Sequence, residues 1–321
     1  AGTLLHALGW LSPLGWAGRV EAYGANRQWV LLLGLGALVI GVAVGLAVLD
    51  RRDLGAGLIP TRSGPSRAGA LLASPLGLVT RLARGTIIGW SIGITLGAVA
   101  IGSLLGSIAD LADDEVIQEF LHQLGGSVGT IEDIFVATEV RFVAVAVAAA
   151  GVALLLRLVG AERGGLGEVV LTTPVSRTRW YAAHVVVSLV LVTVLMALFG
   201  VVLGLVGSAV SPLGPSVGAV VAASLATAPA VWVVVGVTAF LCGTSPRFAP
   251  FAWGVLLVAF VVGELGTTMR LPSWVIDASP FAHLSQLPGG EFERASAVAL
   301  TLLAAALIVA GWAAYRRRDA A

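Results

Sequence analysis

Long uninterrupted apolar segments constrain the fold of this chain more than any other feature of its sequence. Blocks of about twenty apolar residues recur along its 321 residues, and a helix of that length crosses roughly 30 Å of hydrocarbon. The mean hydropathy is +0.97, and only 12% of the residues are charged, about half the share in soluble domains. We therefore predict an all-α, polytopic helical membrane protein that is embedded in the lipid bilayer.

The apolar segments predict about seven spans. Pro229 lies inside the fifth span and predicts a local kink there. Before the second span, residues 71–86 predict either an interfacial elbow helix or the start of the span itself. The predicted spans cover residues 30–49, 86–108, 142–158, 182–206, 217–241, 248–262 and 295–315.

The distribution of arginine orients these spans. Because basic residues concentrate on the cytoplasmic side of a membrane, one set of span ends is predicted to be cytoplasmic, including the C-terminus. The chain is therefore expected in the plasma membrane. The net charge of +1 gives no case for nucleic-acid binding. The arginines at these span ends are Arg51, Arg52, Arg81, Arg84, those from Arg157 to Arg179, Arg247 and Arg316 to Arg318.

Glycines four residues apart mark the second span as a helix-packing element. Small residues at this spacing permit the close approach of two helices in lipid, so we expect this face to pack tightly against another helix. The glycines are Gly89, Gly93, Gly97, Gly102 and Gly106.

The sequence predicts no catalytic residue, no metal site and no cofactor in this chain. The single cysteine, Cys242, excludes an intramolecular disulfide and a cysteine metal cluster. Residues 110–139 are acidic and predict amphipathic helices on the outer surface; a cation site is the less favoured alternative, because the spacing of calcium loops is missing. No GxxxxGK[ST] loop occurs, so the chain has no phosphate-binding loop for ATP.

Residues 157–184 form a charged, turn-rich segment between two long apolar ones. Apolar residues at helical spacing before Pro174 predict a short amphipathic helix. Thr173 or Ser176 is expected to cap the next helix, with Pro174 in its first turn. The polar and turn-forming residues are Glu162, Arg163, Gly164, Glu168, Thr173, Pro174, Ser176, Arg177 and Arg179.

This pattern resembles the cytoplasmic coupling segment of ABC-2 type transporter permeases. The topology is similar to the fused, twelve-span actinobacterial exporters of polyketide antibiotics (tetronasin type) and other drugs. The resemblance implies that the residues just named couple the permease to a separate ATP-binding subunit, which is expected in two copies. It implies ATP and Mg²⁺ in that subunit, export of lipophilic small molecules, and a transport rather than an enzymatic role for this chain.

A weak internal repeat predicts the organisation of the chain. Ser12-Pro13 and Ser279-Pro280 each precede a span that ends in Arg-Arg-Asp, at residues 51–53 and 317–319. With the resemblance, this places an external segment and the last span of a first unit in residues 1–53. A cytoplasmic linker and elbow helix follow in 54–85, and a second six-span unit in 86–321.

Two other functions remain open on sequence grounds. A membrane enzyme acting on lipid-linked substrates would use the external carboxylates at residues 113–119, although they show no recognisable catalytic pairing. A non-transporting assembly subunit is the other alternative, and it would give the coupling segment no purpose.

Overall fold

The computed structural model describes Trp10, Trp16, and residues 19–20, 27–50, 69, 74–111, 130–211 and 214–318. These residues form helices and connecting turns, with no strand among them. The helices are α1 Leu31–Asp50, α2 Pro75–Leu111, α3 Ile131–Leu155, α4 Arg157–Arg163, α5 Leu166–Leu171, α6 Arg177–Val210, α7 Val217–Ala226, α8 Ala228–Thr244, α9 Phe251–Leu265, α10 Ser273–Ile276 and α11 Arg294–Arg317.

Six stretches of the described chain are long and apolar enough to cross a membrane, and a shorter apolar helix, α9, accompanies them. The prediction of a polytopic helical membrane protein is therefore confirmed, with six spans and one 15-residue apolar helix in place of about seven spans. The six stretches are Gln28–Asp50, Pro75–Ile108, Ile131–Arg163, Arg177–Val210, Val217–Thr244 and Arg294–Arg317.

The chain divides into two compact units, Ala1–Arg67 and Ala68–Ala321. In the first unit, α1 is apolar all round and buries none of its residues, as expected of a helix that faces lipid. The Trp10 and Trp29 rings stack with centroids 5.9 Å apart. The predicted boundaries at residues 53 and 85 stay a prediction; residues 51–68 lie outside the described part of the chain.

The core of the second unit lies where α3, α6 and α8 pack together, with α11 against α8 and α2 against α6. Helices α8 and α11 approach closely enough for backbone contact. A Cβ atom on Gly243 would lie 2.1 Å from the Gly311 carbonyl oxygen, and one on Gly236 would lie 3.0 Å from that of Ala304. Only glycine fits at Gly243, so this residue sets the distance between the two helices.

Two span boundaries differ from the predictions. Helix α2 runs without a break from Pro75, so the described part of the elbow segment is the start of the span itself. Helix α3 begins at Ile131, where Thr130 and Asp133 form a reciprocal capping box with N···O distances of 3.0 and 3.2 Å. Placing residues 131–139 in a separate surface helix was therefore wrong, because this cap starts the spanning helix early. Residues 112–129, including the carboxylates at 113–119, lie outside the described part.

The fifth span is interrupted close to the predicted kink. Helix α7 ends at Ala226 and α8 begins at Ala228, with Thr227 between them. Pro229 lies in the first turn of α8, where a missing backbone N–H leaves no hydrogen bond unmade. The Thr227 hydroxyl donates to the Ser224 carbonyl at 2.8 Å. This carbonyl therefore keeps a hydrogen bond where the backbone hydrogen bonds of the helix are interrupted.

The predicted glycine face of α2 separates into two sets. Gly102 and Gly106 pack against α6, where a Cβ atom would lie 3.0 Å from Val206 and 3.4 Å from Val210. A Cβ atom on any glycine of the first set would meet nothing within 4 Å in the described residues. The step of five residues from Gly97 to Gly102 turns the helix by roughly 140°, so one continuous packing face is not formed. The first set is Gly89, Gly93 and Gly97.

Candidate functional site

Four parts of the second unit meet at one end of the helix bundle. They are the start of α2, the segment from α4 to the start of α6, the loop after α8, and the C-terminal end of α11. Every charged side chain that the structure describes there is an arginine, apart from Glu162 and Glu168. We call this region the arginine-rich end; its basic residues are Arg81, Arg84, Arg157, Arg163, Arg177, Arg179, Arg247, Arg316, Arg317 and Arg318.

Glu162 is the centre of a hydrogen-bonding network at this end. Its Oε2 lies 2.6 Å from Nη2 of Arg318, and its Oε1 accepts a hydrogen bond from the Tyr315 hydroxyl at 2.8 Å. The Arg318 guanidinium lies over the Tyr315 ring, which stacks on Tyr181 with centroids 5.0 Å apart. The carboxylate of Glu162 and the guanidinium of Arg318 are mostly buried, so this pair is screened less than a surface pair. The network fixes α4 to the end of α11.

Two further arginines hold the same elements together through backbone carbonyls. Arg163 donates to Pro246 O at 3.0 Å, which ties α4 to the loop after α8. Arg177 donates to Arg318 O at 3.2 Å. Together with Glu162, these side chains therefore hold the helices and the loop of the arginine-rich end together.

Local sequence explains why the segment turns as it does. Gly165 has φ 75°, the left-handed conformation that favours glycine, and it separates α4 from α5. The Thr173 hydroxyl donates to Val170 O at 2.5 Å and closes the end of α5. Ser176 caps α6, where its Oγ accepts from the Arg179 N–H at 3.3 Å. The predicted cap at Ser176 is confirmed, whereas Pro174 in the first turn of that helix was wrong: Pro174 lies in the turn before α6.

A groove of about 630 Å³ opens between these elements. Glu168 and Leu171 of α5, Arg177 and Trp180 of α6, and Arg247 of the following loop line part of it. Trp180 is fully buried, and its Nε1 has no hydrogen-bonding partner among the described residues. The groove combines apolar walls with an excess of positive charge, which suits contact with an acidic and partly apolar protein surface.

The predicted coupling residues fall into two groups. Glu162, Arg163 and Arg177 make contacts within the chain, as described above. Glu168 and Arg179 are exposed, and their side chains make no hydrogen bond or ion pair within the described part of the chain. The second group is therefore available to another protein. Gly164 and Pro174 are exposed parts of the backbone turns.

Sequence reasoning missed the contribution of the last helix. Tyr315 and Arg318 were not predicted to reach the segment, and Arg247 was used only to orient the spans. The signal for Arg318 was present in the Arg-Arg-Asp motif, which was interpreted as part of a repeat. Contacts between Glu162 and Arg318 join residues that are far apart in the sequence, and no local pattern encodes such a pairing.

An ion pair lies deeper in the second unit. Arg141 of α3 and Glu264 of α9 approach to 3.1 Å, with the Glu264 side chain only 10% exposed. Both residues lie just beyond the ends of the predicted spans 142–158 and 248–262, but in the structure Arg141 follows Ile131, the first residue of α3, by ten residues, or about 15 Å of helix. Each charge is compensated by the other. Separately, the described residues contain no group of three or more His, Cys, Asp or Glu that could hold a metal ion.

Comparison with known proteins gives the family. Residues 72–316 match the family model described as "Multidrug efflux system permease Rv1217c, C-terminal domain". The chain belongs to this family. The multidrug efflux system permease protein Rv1217c of Mycobacterium tuberculosis (strain ATCC 25618 / H37Rv) is 37% identical over 314 residues, which is 97% of this chain and 57% of the relative. The chain thus spans little more than half the length of that permease. The resemblance to ABC-type multidrug permeases is confirmed.

Proposed function

We propose that this chain forms part of the permease of an ATP-driven exporter that moves lipophilic small molecules, such as drugs and antibiotics, out of the cell. The proposal is supported by the relative, which is named a multidrug efflux permease. It is also supported by six stretches apolar enough to span a membrane. The observation that carries the coupling part of the proposal is the arginine-rich end, with its groove and its exposed charges.

In this proposal, the arginine-rich end faces the cytoplasm and binds an ATP-binding subunit, in two copies per exporter. Glu168, Arg179 and Arg247 are exposed and supply the charged contacts. Val169 of α5 is 65% exposed and supplies an apolar contact beside them. ATP and Mg²⁺ bind in the partner subunit, and this chain holds no cofactor.

The contacts within the second unit offer a route for motion from the partner to the spans. Glu162 fixes α4 to Tyr315 and Arg318 at the end of α11. Helix α11 contacts α8 through the backbones of Gly311 and Gly243. Because packed helices shift as bodies rather than deform, displacement of α4 and α5 moves α8 and α11 together. The spans then alternate between inward-open and outward-open arrangements.

The test compares two double variants of the full-length permease, each co-expressed with its ATP-binding subunit. Glu168→Gln with Arg179→Gln removes one acid and one base from the arginine-rich end. Glu291→Gln with Arg294→Gln removes the same charges from the opposite end of the bundle and is the matched control. We expect the first pair to lose co-purification of the ATP-binding subunit or drug-stimulated ATP hydrolysis, while the control retains both. Full retention by both variants would contradict the proposed docking surface.

A further inference from the structure

A second cavity of about 270 Å³ lies at the arginine-rich end. None of the residues that line it also lines the groove. It is bounded by the first turns of α2, the end of α3, helices α4 and α5, and one residue of α6. Its walls are largely apolar, with Val79, Leu82, Leu154 and Leu166 among the lining side chains. A Cβ atom on Gly160 would meet nothing within 4 Å, so this wall leaves open space.

Two polar side chains line the same cavity. Arg157 is exposed and donates a hydrogen bond to the Thr86 hydroxyl of α2. His184 is 3% exposed, and its Nδ1 lies 3.0 Å from the Trp180 carbonyl. Since a nitrogen facing a carbonyl must carry the proton, Nε2 of the neutral ring is an acceptor. This Nε2 has no hydrogen-bonding partner within the described residues. Because His184 lines the cavity, a hydrogen-bond donor that enters the cavity can pair with this acceptor.

The position of the cavity indicates where such a ligand comes from. Arg157 follows the end of α3, at the level where the apolar spans give way to the arginine-rich end. Among the described residues, arginines outnumber acids strongly at this end. Such an excess attracts the anionic lipid of a cytoplasmic leaflet, and basic pockets between spanning helices bind lipid headgroups.

We propose that this cavity binds an anionic phospholipid whose headgroup carries a hydroxyl, such as phosphatidylglycerol. The phosphate pairs with the Arg157 guanidinium, and the headgroup hydroxyl donates to Nε2 of His184. One acyl chain lies along Val79 and Leu82 of α2 and Leu166 of α5. Choline phospholipids lack both the net negative charge and the hydroxyl, so they bind more weakly.

The experiment is native mass spectrometry of the full-length permease in detergent, titrated with phosphatidylglycerol or with phosphatidylcholine of the same acyl chains. Arg157→Gln removes the cation. Gly160→Leu keeps the charge and fills the open space, and Leu82→Phe narrows the cavity from α2 if that variant does not fold. Arg84→Gln is the matched control, because Arg84 is an exposed arginine of α2 that does not line the cavity. Soluble glycerol phosphate separates binding of the phosphate from binding of the lipid.

We expect wild type and Arg84→Gln to bind phosphatidylglycerol equally, and Arg157→Gln and the cavity-filling variant to bind it about fivefold more weakly. Phosphatidylcholine should also bind about fivefold more weakly to the wild type, and glycerol phosphate should bind still less. Equal binding of the two lipids, an equal loss in Arg84→Gln, or unchanged binding after the cavity is filled would each overturn the proposal. Binding of glycerol phosphate as tight as that of the lipid would overturn it as well.

Discussion

Replacing Gly243 by alanine tests the closest helix contact in the second unit. The new Cβ atom would lie 2.1 Å from the Gly311 carbonyl oxygen, whereas folded proteins essentially never place a Cβ atom closer than 3.0 Å to such a neighbour. Helices α8 and α11 must therefore separate by about 1 Å, because the obstructing atom is backbone and no side chain can rotate away. A gap of this size forfeits a quarter to a half of each dispersion contact along the interface. We expect the free energy of unfolding to fall by about 3 kcal/mol, which is the upper end of the destabilisation that overpacking a core typically causes.

The assay is thermal unfolding of the purified permease in detergent, followed by tryptophan fluorescence and by size-exclusion chromatography. A loss of about 3 kcal/mol should lower the midpoint by roughly 6–12 °C. Gly89→Ala is the matched control, because the added methyl meets open space and alanine favours a helix over glycine by roughly 0.5–1 kcal/mol. Equal melting temperatures for the Gly243 and Gly89 variants would refute the reasoning about backbone contact.

Three further predictions follow from the same structure. Replacing Arg141 or Glu264 alone by leucine should destabilise the protein by about 3 kcal/mol, and replacing both should cost less than either, as a double-mutant cycle of melting temperatures will show. Ser176→Ala should lower the free energy of unfolding by about 1 kcal/mol and speed hydrogen exchange in the first turn of α6, whereas Ser176→Asp should retain the cap. Tyr315→Phe should lower the free energy of unfolding by about 1.5 kcal/mol, because the hydrogen bond to Glu162 is lost. An unchanged melting temperature would refute the stabilising role of that hydrogen bond.

Features with a local physical cause could be predicted from the sequence. Apolar length predicted the spans, and the preference of serine for helix starts predicted the cap at Ser176. Pro229 predicted a local kink in the fifth span, and the structure instead interrupts the helix at Thr227, two residues before it. In each case, one residue or one uninterrupted block of residues determines the local conformation.

Helix pairing could not be predicted in the same way. The glycines of α2 have the spacing of a packing face, but a Cβ atom on Gly89, Gly93 or Gly97 would meet nothing within 4 Å in the described chain. The closest contact instead uses Gly243 and Gly311, which are 68 residues apart and belong to no small-residue motif that the sequence interpretation identified. Spacing shows that a helix can be approached closely, whereas the partner depends on how all the helices pack.

The candidate site was predicted as a segment, and the structure shows it as an assembly. Residues 157–184 were identified by their charges and turns, which are local features. Their contacts with Tyr315, Arg318 and Pro246 come from helices that end at the same level of the bundle. Those contacts depend on the lengths and order of the helices, so no motif around Glu162 predicts them.

Photocrosslinking from α5 tests the central claim most directly. A photoreactive amino acid replaces Val169, which is 65% exposed beside Glu168, in the full-length permease co-expressed with its ATP-binding subunit. The same amino acid at Val201, an exposed residue in the second half of α6, is the control. We predict a crosslink to the ATP-binding subunit from position 169 and none from position 201, identified by mass spectrometry. Cells that export drug yet give no crosslink from position 169 would contradict the assignment of this segment as the coupling site.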